Sequence, residues 1–327
     1  MQATQSDQGF REVVQPYVLK LALPLPFELE SVNVYLVALA DGYLLIDCGM
    51  ETEPAFETLE SAMTARGIAW TEIRRIFLTH MHPDHMGMSA RLLRLTGATL
   101  AMHEAEAKHL SMIAGAERRF PWLDIAYAQA GVPKGLEDTI NGHFAEVRKN
   151  FHKLEPDVLY SGGETFPTAL GPLEVLWTSG HSPGHACLYS RERRILFSGD
   201  QILENITPNI AWHPGRDMLG EFLDSLRRLA ELAVDLILPA HGEPFTGHRA
   251  WIEQTIGHHR ERCDEIHGLV EQQPRTAHWL VGEMWRRKLS PINHHFAVFE
   301  VLAHLEHMQR QGRVRSREEN GALAWHA

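Results

Sequence analysis

RRIFLTHMHPDHMG, residues 74–87, is the stretch on which the fold turns. The apolar run Ile76-Phe77-Leu78 ends at Thr79 and gives way to His80-Met81-His82-Pro83-Asp84-His85. A short apolar run with this ending reads as a buried strand. In extended chain, alternate side chains point the same way, so His80 and His82 address one point. Pro83 turns the backbone, and Asp84 and His85 then address a second point nearby. Neutral imidazole and carboxylate are good ligands for zinc and its first-row neighbours. The competing reading is a polar strand-to-helix turn in which Asp84 only caps the helix. A lone HxH would favour that reading. A full HxHxDH after an apolar strand favours metal ligation.

Downstream, three more segments place a metal-capable side chain in a Gly-containing loop at a strand end. They are Thr178-Ser179-Gly180-His181-Ser182-Pro183-Gly184-His185, Phe197-Ser198-Gly199-Asp200 and Pro239-Ala240-His241-Gly242. Binding residues concentrate on such loops over a rigid sheet. Each segment alone is a weak signal; their order and number together are a strong one.

The surrounding chain alternates strands and helices. VNVYLVAL (32–39) and YLLID (43–47) flank Asp41-Gly42 and predict a hairpin. Thr52, Pro54 and Gly67 predict a helix over 53–66, with Phe56, Leu59 and Met63 as its buried stripe. A second helix carries Leu92 and Leu93, and ATLAM (98–102) is a strand. LEVLWT (173–178), ACLYS (186–190), RILFS (194–198) and DLILP (235–239) are further strands. A helix over 218–233 aligns Leu219, Phe222, Leu223, Leu226 and Leu229 on one face. This order predicts a layered α/β architecture. Residues 103–160 show helical patches and no clear strand. They read as a helical insertion over the core, either a substrate lid or an outer layer.

From Thr246 a long helix runs through Ile252, Ile256, Cys263 and Ile266. Helices near 277–287 and 294–311 and a hairpin around Asn320-Gly321 follow. The expected division is a catalytic domain over 1–250 and a small winged-helix-like domain over 251–327. With no Gly/Ser-rich linker between them, free interdomain motion is not expected.

Composition narrows the function classes. Hydrophobic content of 44% against 22% charged residues is that of a chain that buries a core. A net charge of −11 repels phosphate backbones, which makes nucleic acid a poor partner. Cys48, Cys187 and Cys263 are odd in number and widely spaced, so they form no disulfide framework and fit a reducing compartment. MQATQSDQGFREVV has no basic start followed by an apolar run, and no stretch of about 18 apolar residues occurs. No signal peptide and no membrane span are expected, and the expected location is cytoplasmic.

THMHPDH (79–85), GHSPGH (180–185), SGD (198–200) and PAHG (239–242) together resemble the metallo-β-lactamase superfamily, specifically its glyoxalase II and lactonase-like branches. The resemblance implies a four-layer αββα sandwich with metals at one edge. It assigns His80, His82 and His181 to one divalent metal. It assigns Asp84, His85 and His241 to a second, with Asp200 bridging both. Zinc is the expected metal, with iron or manganese as alternatives. His185 falls outside this ligand set and reads as a loop-supporting residue. Asp47 lies where the family often has an aspartate, and it either bonds a ligand histidine or caps its turn. HRERCDEI (259–266) and AVFEVLAHLEHMQRQGRV (297–314) resemble the winged-helix-like domain appended to some members. The tail lacks the dense Lys/Arg face that phosphate contact needs. A structural or dimerisation role is expected for it, so a homodimer is a candidate assembly.

The implied activity is hydrolysis of a thioester or ester, of acyl-CoA or acyl-glutathione type, by a metal-bound hydroxide, with Asp84 and Asp200 as the catalytic carboxylates. A lactonase at the same site is one alternative. An endoribonuclease and a mononuclear iron oxygenase on the same scaffold are others. Net acidity argues against the endoribonuclease, and retention of every second-metal ligand argues against the oxygenase. Substrate walls are expected in the insertion and in the loop 205–214, where Asn205, Asn209 and His213 are the candidate polar contacts. Arg118, Arg119, Arg148 and Lys149 of the insertion are either phosphate contacts for coenzyme A or solvated helix positions. Cys187 reads as a packed core thiol.

Overall fold

In the computed structural model, which describes residues 9–26, 29–113, 121–147 and 154–327, strand β3 (Ser31–Ala38) separates two cores. Val32, Val34 and Leu36 enter one, and Tyr35 and Val37 enter the other. This is the two-residue period of a strand buried on both faces.

The first sheet runs in chain order: β1 (Arg11–Val14), β2 (Val18–Pro24), β3, β4 (Tyr43–Ile46), β5 (Ile73–Phe77), β6 (Thr99–His103) and β7 (Val158–Tyr160). It is antiparallel up to β4 and parallel from β4 to β7. The second sheet comprises β8 (Thr165–Phe166), β9 (Leu173–Trp177), β10 (Ala186–Ser190), β11 (Ile195–Gly199) and β12 (Leu236–Pro239). The two sheets pack face to face through Tyr35, Val37, Ile46 and Phe77 against Val175, Leu188, Phe197 and Leu238. Helices α1 (Glu53–Arg66), α2 (Pro83–Met86) and α3 (Ser89–Thr96) cover the outer face of the first sheet. On the outer face of the second lie α7 (Met218–Ala230) and α8 (His248–Gln272). The four-layer αββα sandwich is therefore observed, and every ligand-bearing loop named above leaves a strand end. Each fully buried side chain of this kind, such as Leu59 or Phe222, contributes on the order of 1.5–3 kcal/mol through area removed from water.

The insertion differs from expectation. It forms α4 (Glu104–Ile113), α5 (Pro121–Ala130) and α6 (Lys134–Val147), but it ends in strand β7, which pairs parallel to β6. β7 is three residues long with no buried side chain, so the sequence offers no apolar alternation there. Strands β1, β2 and β8 were likewise not expected. Leu123, Ala126, Tyr127 and Ala130 of α5 and Ile140 of α6 share one apolar cluster with Ala297, Val298 and Phe299. That part of the insertion's apolar surface is thus used in packing against the tail. Arg118, Arg119, Arg148 and Lys149 lie outside the described residues.

The tail comprises α9 (Ala277–Met284), α10 (Pro291–Arg310) and the hairpin β13 (Arg315–Glu319) to β14 (Ala322–His326), following α8. Asn320 and Gly321 both take positive φ, 52° and 80°, as the Asn-Gly turn requires. α10 begins earlier than its apolar stripe, because the Ser290 side chain accepts from Asn293 N–H and Pro291 fits the first turn. Among the described residues no helix is long and apolar enough to cross a membrane.

Asp217 joins sheet layer and tail. It caps α7 by accepting from Gly220 N–H at 2.8 Å, and it accepts from His307 Nδ1 of α10 at 2.9 Å. Burial opposes ionisation of Asp217, but the bonds from His307 and Gly220 outweigh it and hold the carboxyl below its usual range. A depressed folded-state pKa gives stability that is present above the unfolded carboxylate value and lost as pH falls through the folded one. Asp217→Ala is expected to lose about 1–2 kcal/mol at neutral pH, with the deficit shrinking in acid. Urea melts of both proteins at neutral and acid pH check this; an equal deficit at both would contradict it.

Candidate metal centre

Four of the five histidines at the centre are aimed by their outer ring nitrogen. Thr79 Oγ donates to Asp47 Oδ2 at 2.8 Å, which spends its one hydrogen. His80 Nδ1, 3.0 Å from the same Oγ, is therefore the donor of that contact, and its Nε2 carries the lone pair. His85 Nδ1 donates to Asp47 Oδ2 at 2.8 Å. His181 Nδ1 donates to Asn209 O at 3.0 Å, and His241 Nδ1 donates to Ser31 O at 2.8 Å. His82 alone turns Nδ1 inward, 2.9 Å from His80 Nε2 and 3.0 Å from His181 Nε2.

Two groups result. His80, His82, His181 and Asp200 bring one donor atom each within 4.8 Å of one another, and Asp84, His85 and His241 do the same. Asp200 stands between the groups. Its Oδ2 lies 3.4 Å from His181 Nε2, 3.8 Å from His80 Nε2 and 3.5 Å from His85 Nε2. Its Oδ1 lies 3.5 Å from His241 Nε2. Asp84 Oδ2 is 3.4 Å from His241 Nε2 and 3.6 Å from His85 Nε2.

The donor set fits a divalent metal. Buried polar atoms are normally hydrogen-bonded, yet His85 Nε2 and Asp200 Oδ1 are buried with no hydrogen-bond partner, both facing the cluster. Burial, with repulsion from the neighbouring imidazoles, keeps His80 well below the usual histidine range and His82 at about 3, so both rings are neutral ligands. Burial would raise the Asp84 carboxyl, but His85 and His241 outweigh it and hold it at about 2. All donors are nitrogen or oxygen, a set suited to zinc and other first-row ions.

The supporting residues show how the loops meet. Glu106, buried in α4, accepts from Met81 N–H at 2.8 Å and from Gly184 N–H at 2.6 Å, tying the HMHPDH loop to the GHSPGH loop. On the far side, Asn33 Nδ2 donates to Pro239 O and Gly242 O, and Tyr35 Oη donates to Pro239 O, so the first sheet pins the His241 loop. His185 accepts from Asp200 N–H at 3.1 Å and contacts Thr178 Oγ at 2.8 Å, which places it behind Asp200 as a support. Gly180 passes so close to α7 that an added Cβ would stand 2.3 Å from Phe222 Cα. Burial pushes the Cys187 thiol up to about 12, which makes it a core thiol and not a nucleophile.

The profile of the Metallo-beta-lactamase superfamily matches residues 28–241, the span that holds all seven of these side chains. The chain belongs to the metallo-β-lactamase superfamily. A second profile, Metallo-beta-lactamase-like, C-terminal domain, matches residues 263–326. The chain is 26% identical to the probable metallo-hydrolase YqjP of Bacillus subtilis, covering 80% of this chain and 82% of that one. It is 26% identical to human acyl-coenzyme A thioesterase MBLAC2, covering 66% and 75%. A beta-lactamase domain protein from Burkholderia ambifaria superposes with a TM-score of 0.87 at 27% identity, covering 99% of this chain and 96% of that one.

Within this metallo-β-lactamase fold, the structure brings together all seven sequence-predicted ligand residues. The three candidate substrate contacts are placed differently from one another. Asn205 is exposed at a φ of 61°. Asn209 turns its side chain to Glu300 and Phe296 of α10 and offers only its carbonyl to His181. His213 Nε2 meets His109 Nδ1 of α4 at 3.1 Å. Sequence reading missed Glu106, Asn33 and Asn209 as supports. Each acts across more than twenty residues of chain, and none sits in a motif.

Proposed function

We propose that this protein is a dinuclear metal-dependent hydrolase of thioesters or esters, of acyl-CoA or acyl-glutathione type. His80, His82 and His181 hold one ion, Asp84, His85 and His241 hold the other, and Asp200 spans both. The observation that carries this reading is Asp200, whose carboxylate stands within 4 Å of ring nitrogens of both groups: Oδ2 near His181, His80 and His85, and Oδ1 near His241. When bound, the ions supply hydroxide at neutral pH and polarise the scissile carbonyl. Zinc is the proposed metal, because neutral imidazoles dominate the donors.

The chain's own contribution is preorganisation. Asp47, Thr79, Ser31 and Asn209 fix ring tautomers, so the lone pairs point inward before substrate arrives. Asp84, with Oδ2 between His85 and His241, is the carboxylate placed to hold a proton from attacking water. MBLAC2 is named an acyl-coenzyme A thioesterase, which supports a thioester substrate here. We place Asn205 and His213 on the substrate wall. We also propose that residues 251–327 form a winged-helix-like unit, with α8 running across its start.

Steady-state kinetics on acyl-CoA, acyl-glutathione, lactone and structured RNA, with one metal-loaded preparation, tests this. Thioester turnover is expected, and His82→Ala should lower it by at least about 100-fold. Metal-dependent RNA cleavage with no turnover of any thioester or ester would overturn the reading.

A further inference from the structure

The segment between the Asp200 loop and α7 is laid along the tail helix α10 at successive points. Asn209 Nδ2 donates to Glu300 Oε2 at 3.1 Å and to Phe296 O at 3.3 Å. Trp212 N–H donates to Phe299 O at 3.1 Å. Arg310 Nη2 donates to Gly215 O at 3.1 Å, and His307 bonds Asp217. Asn209 lies at the site end of this seam, and its carbonyl is the acceptor for His181 Nδ1.

We propose that Glu300, acting through Asn209, is a positioning residue for the His181 ring, so that the C-terminal module helps to build the metal centre. His80, His85 and His241 take their support from the sandwich itself. Asp47, Thr79 and Ser31 sit on or beside strands of the first sheet, where the backbone is rigid. His181 has no such support. Its acceptor is the carbonyl of a loop residue in irregular chain, and the Asn209 side chain is one of the anchors that hold that carbonyl in place. Glu300 Oε2 makes the shorter of the two bonds to that side chain, the other going to Phe296 O, from a helix whose own face is buried in the core shared with α5 and α7. Groups that bond a ligand histidine's outer nitrogen set its tautomer and orientation, and their loss typically lowers metal affinity about 10–100-fold. Glu300 touches no donor atom of the cluster. Its effect therefore passes through geometry alone.

This inference rests on the reading of His181 as a metal ligand, and the experiment separates the two. Zinc affinity is measured on the full-length protein by competition with a chromophoric chelator, and the visible spectrum of the cobalt-substituted protein reports ligand geometry. Wild type is expected to bind zinc tightly. Glu300→Ala and Asn209→Ala should each weaken the first zinc equivalent about 10–100-fold and alter the cobalt spectrum. Their double variant should be little worse than either, since both break one chain of contacts. Glu300→Gln keeps an acceptor oxygen for Asn209 Nδ2 and should restore most of the affinity. Glu306→Ala, on the same helix and paired with Arg310, should leave affinity and spectrum unchanged. A folded Glu300→Ala and a folded Asn209→Ala with wild-type zinc affinity and spectrum would overturn the inference while leaving the metal reading intact. A wild type that binds no zinc would sink both.

Discussion

Asp200→Ala is expected to lower kcat/KM for the proposed thioester substrate by at least about 1,000-fold, equivalent to about 4 kcal/mol of barrier. Three physical effects act together. The substitution removes the one carboxylate whose Oδ2 faces His181 and His80 and whose Oδ1 faces His241. It also removes negative charge from a buried cluster proposed to accept two dications, and it takes away the carboxylate that stands 3.5 Å from both His85 Nε2 and His241 Nε2. Asp200→Asn separates charge from shape. The amide fits the same space but offers one acceptor oxygen, so it can serve one group and not both. Asn is therefore expected to retain part of one site's occupancy and little activity. Metal analysis beside kinetics checks this. Full turnover with two metals in Asp200→Ala would remove Asp200 from the bridge.

Glu106 gives the second large effect. A buried carboxylate is costly, and burial accordingly raises its pKa. It is retained because both oxygens accept from backbone N–H groups of ligand-bearing loops, Met81 and Gly184. In Glu106→Gln the shape is kept, but one side of the amide presents N–H to N–H. The expected cost is about 1–3 kcal/mol, the desolvation penalty of one unpaired buried donor. Glu106→Ala leaves both donors unpaired and opens a cavity, at about 2–5 kcal/mol. Activity should fall about 100-fold in either variant, because His82 and His181 sit on the two loops that lose their tie. Urea unfolding and kcat/KM measured on the same preparations check both numbers. A Gln variant within about 0.5 kcal/mol of wild type, with unchanged kcat/KM, would mean that Glu106 does not hold the loops.

The candidate ligand residues were legible in sequence because their chemistry is local. HMHPDH sits within six residues of one strand end, and His181, Asp200 and His241 each follow an apolar strand and sit beside glycine. The hairpin before Asp47 and helix α1 were legible for the same reason: Asp41-Gly42, Thr52 and Gly67 act on their own neighbours. What was not legible acts at a distance. Glu106 lies 25 residues from Met81 and 78 from Gly184, and only the packed fold makes it their partner. Asn209 read as a polar wall residue, because nothing local shows that α10 claims its side chain. Hydrophobicity in the insertion marks burial without naming the partner; for Leu123, Tyr127 and Ile140 the partner is the core shared with the tail. β7 was missed because its three residues bury no side chain and are held by pairing to β6.

His80, His82, Asp84, His85, His181, Asp200 and His241 are proposed to form one two-metal hydrolytic centre. The most direct measurement is a titration of metal-free protein with zinc, following bound metal per chain and thioester hydrolysis together. Activity is expected to rise until about two equivalents are bound and to vanish again when a chelator strips them. Full thioester turnover in the metal-free protein, or saturation of activity and binding at one equivalent, would contradict it.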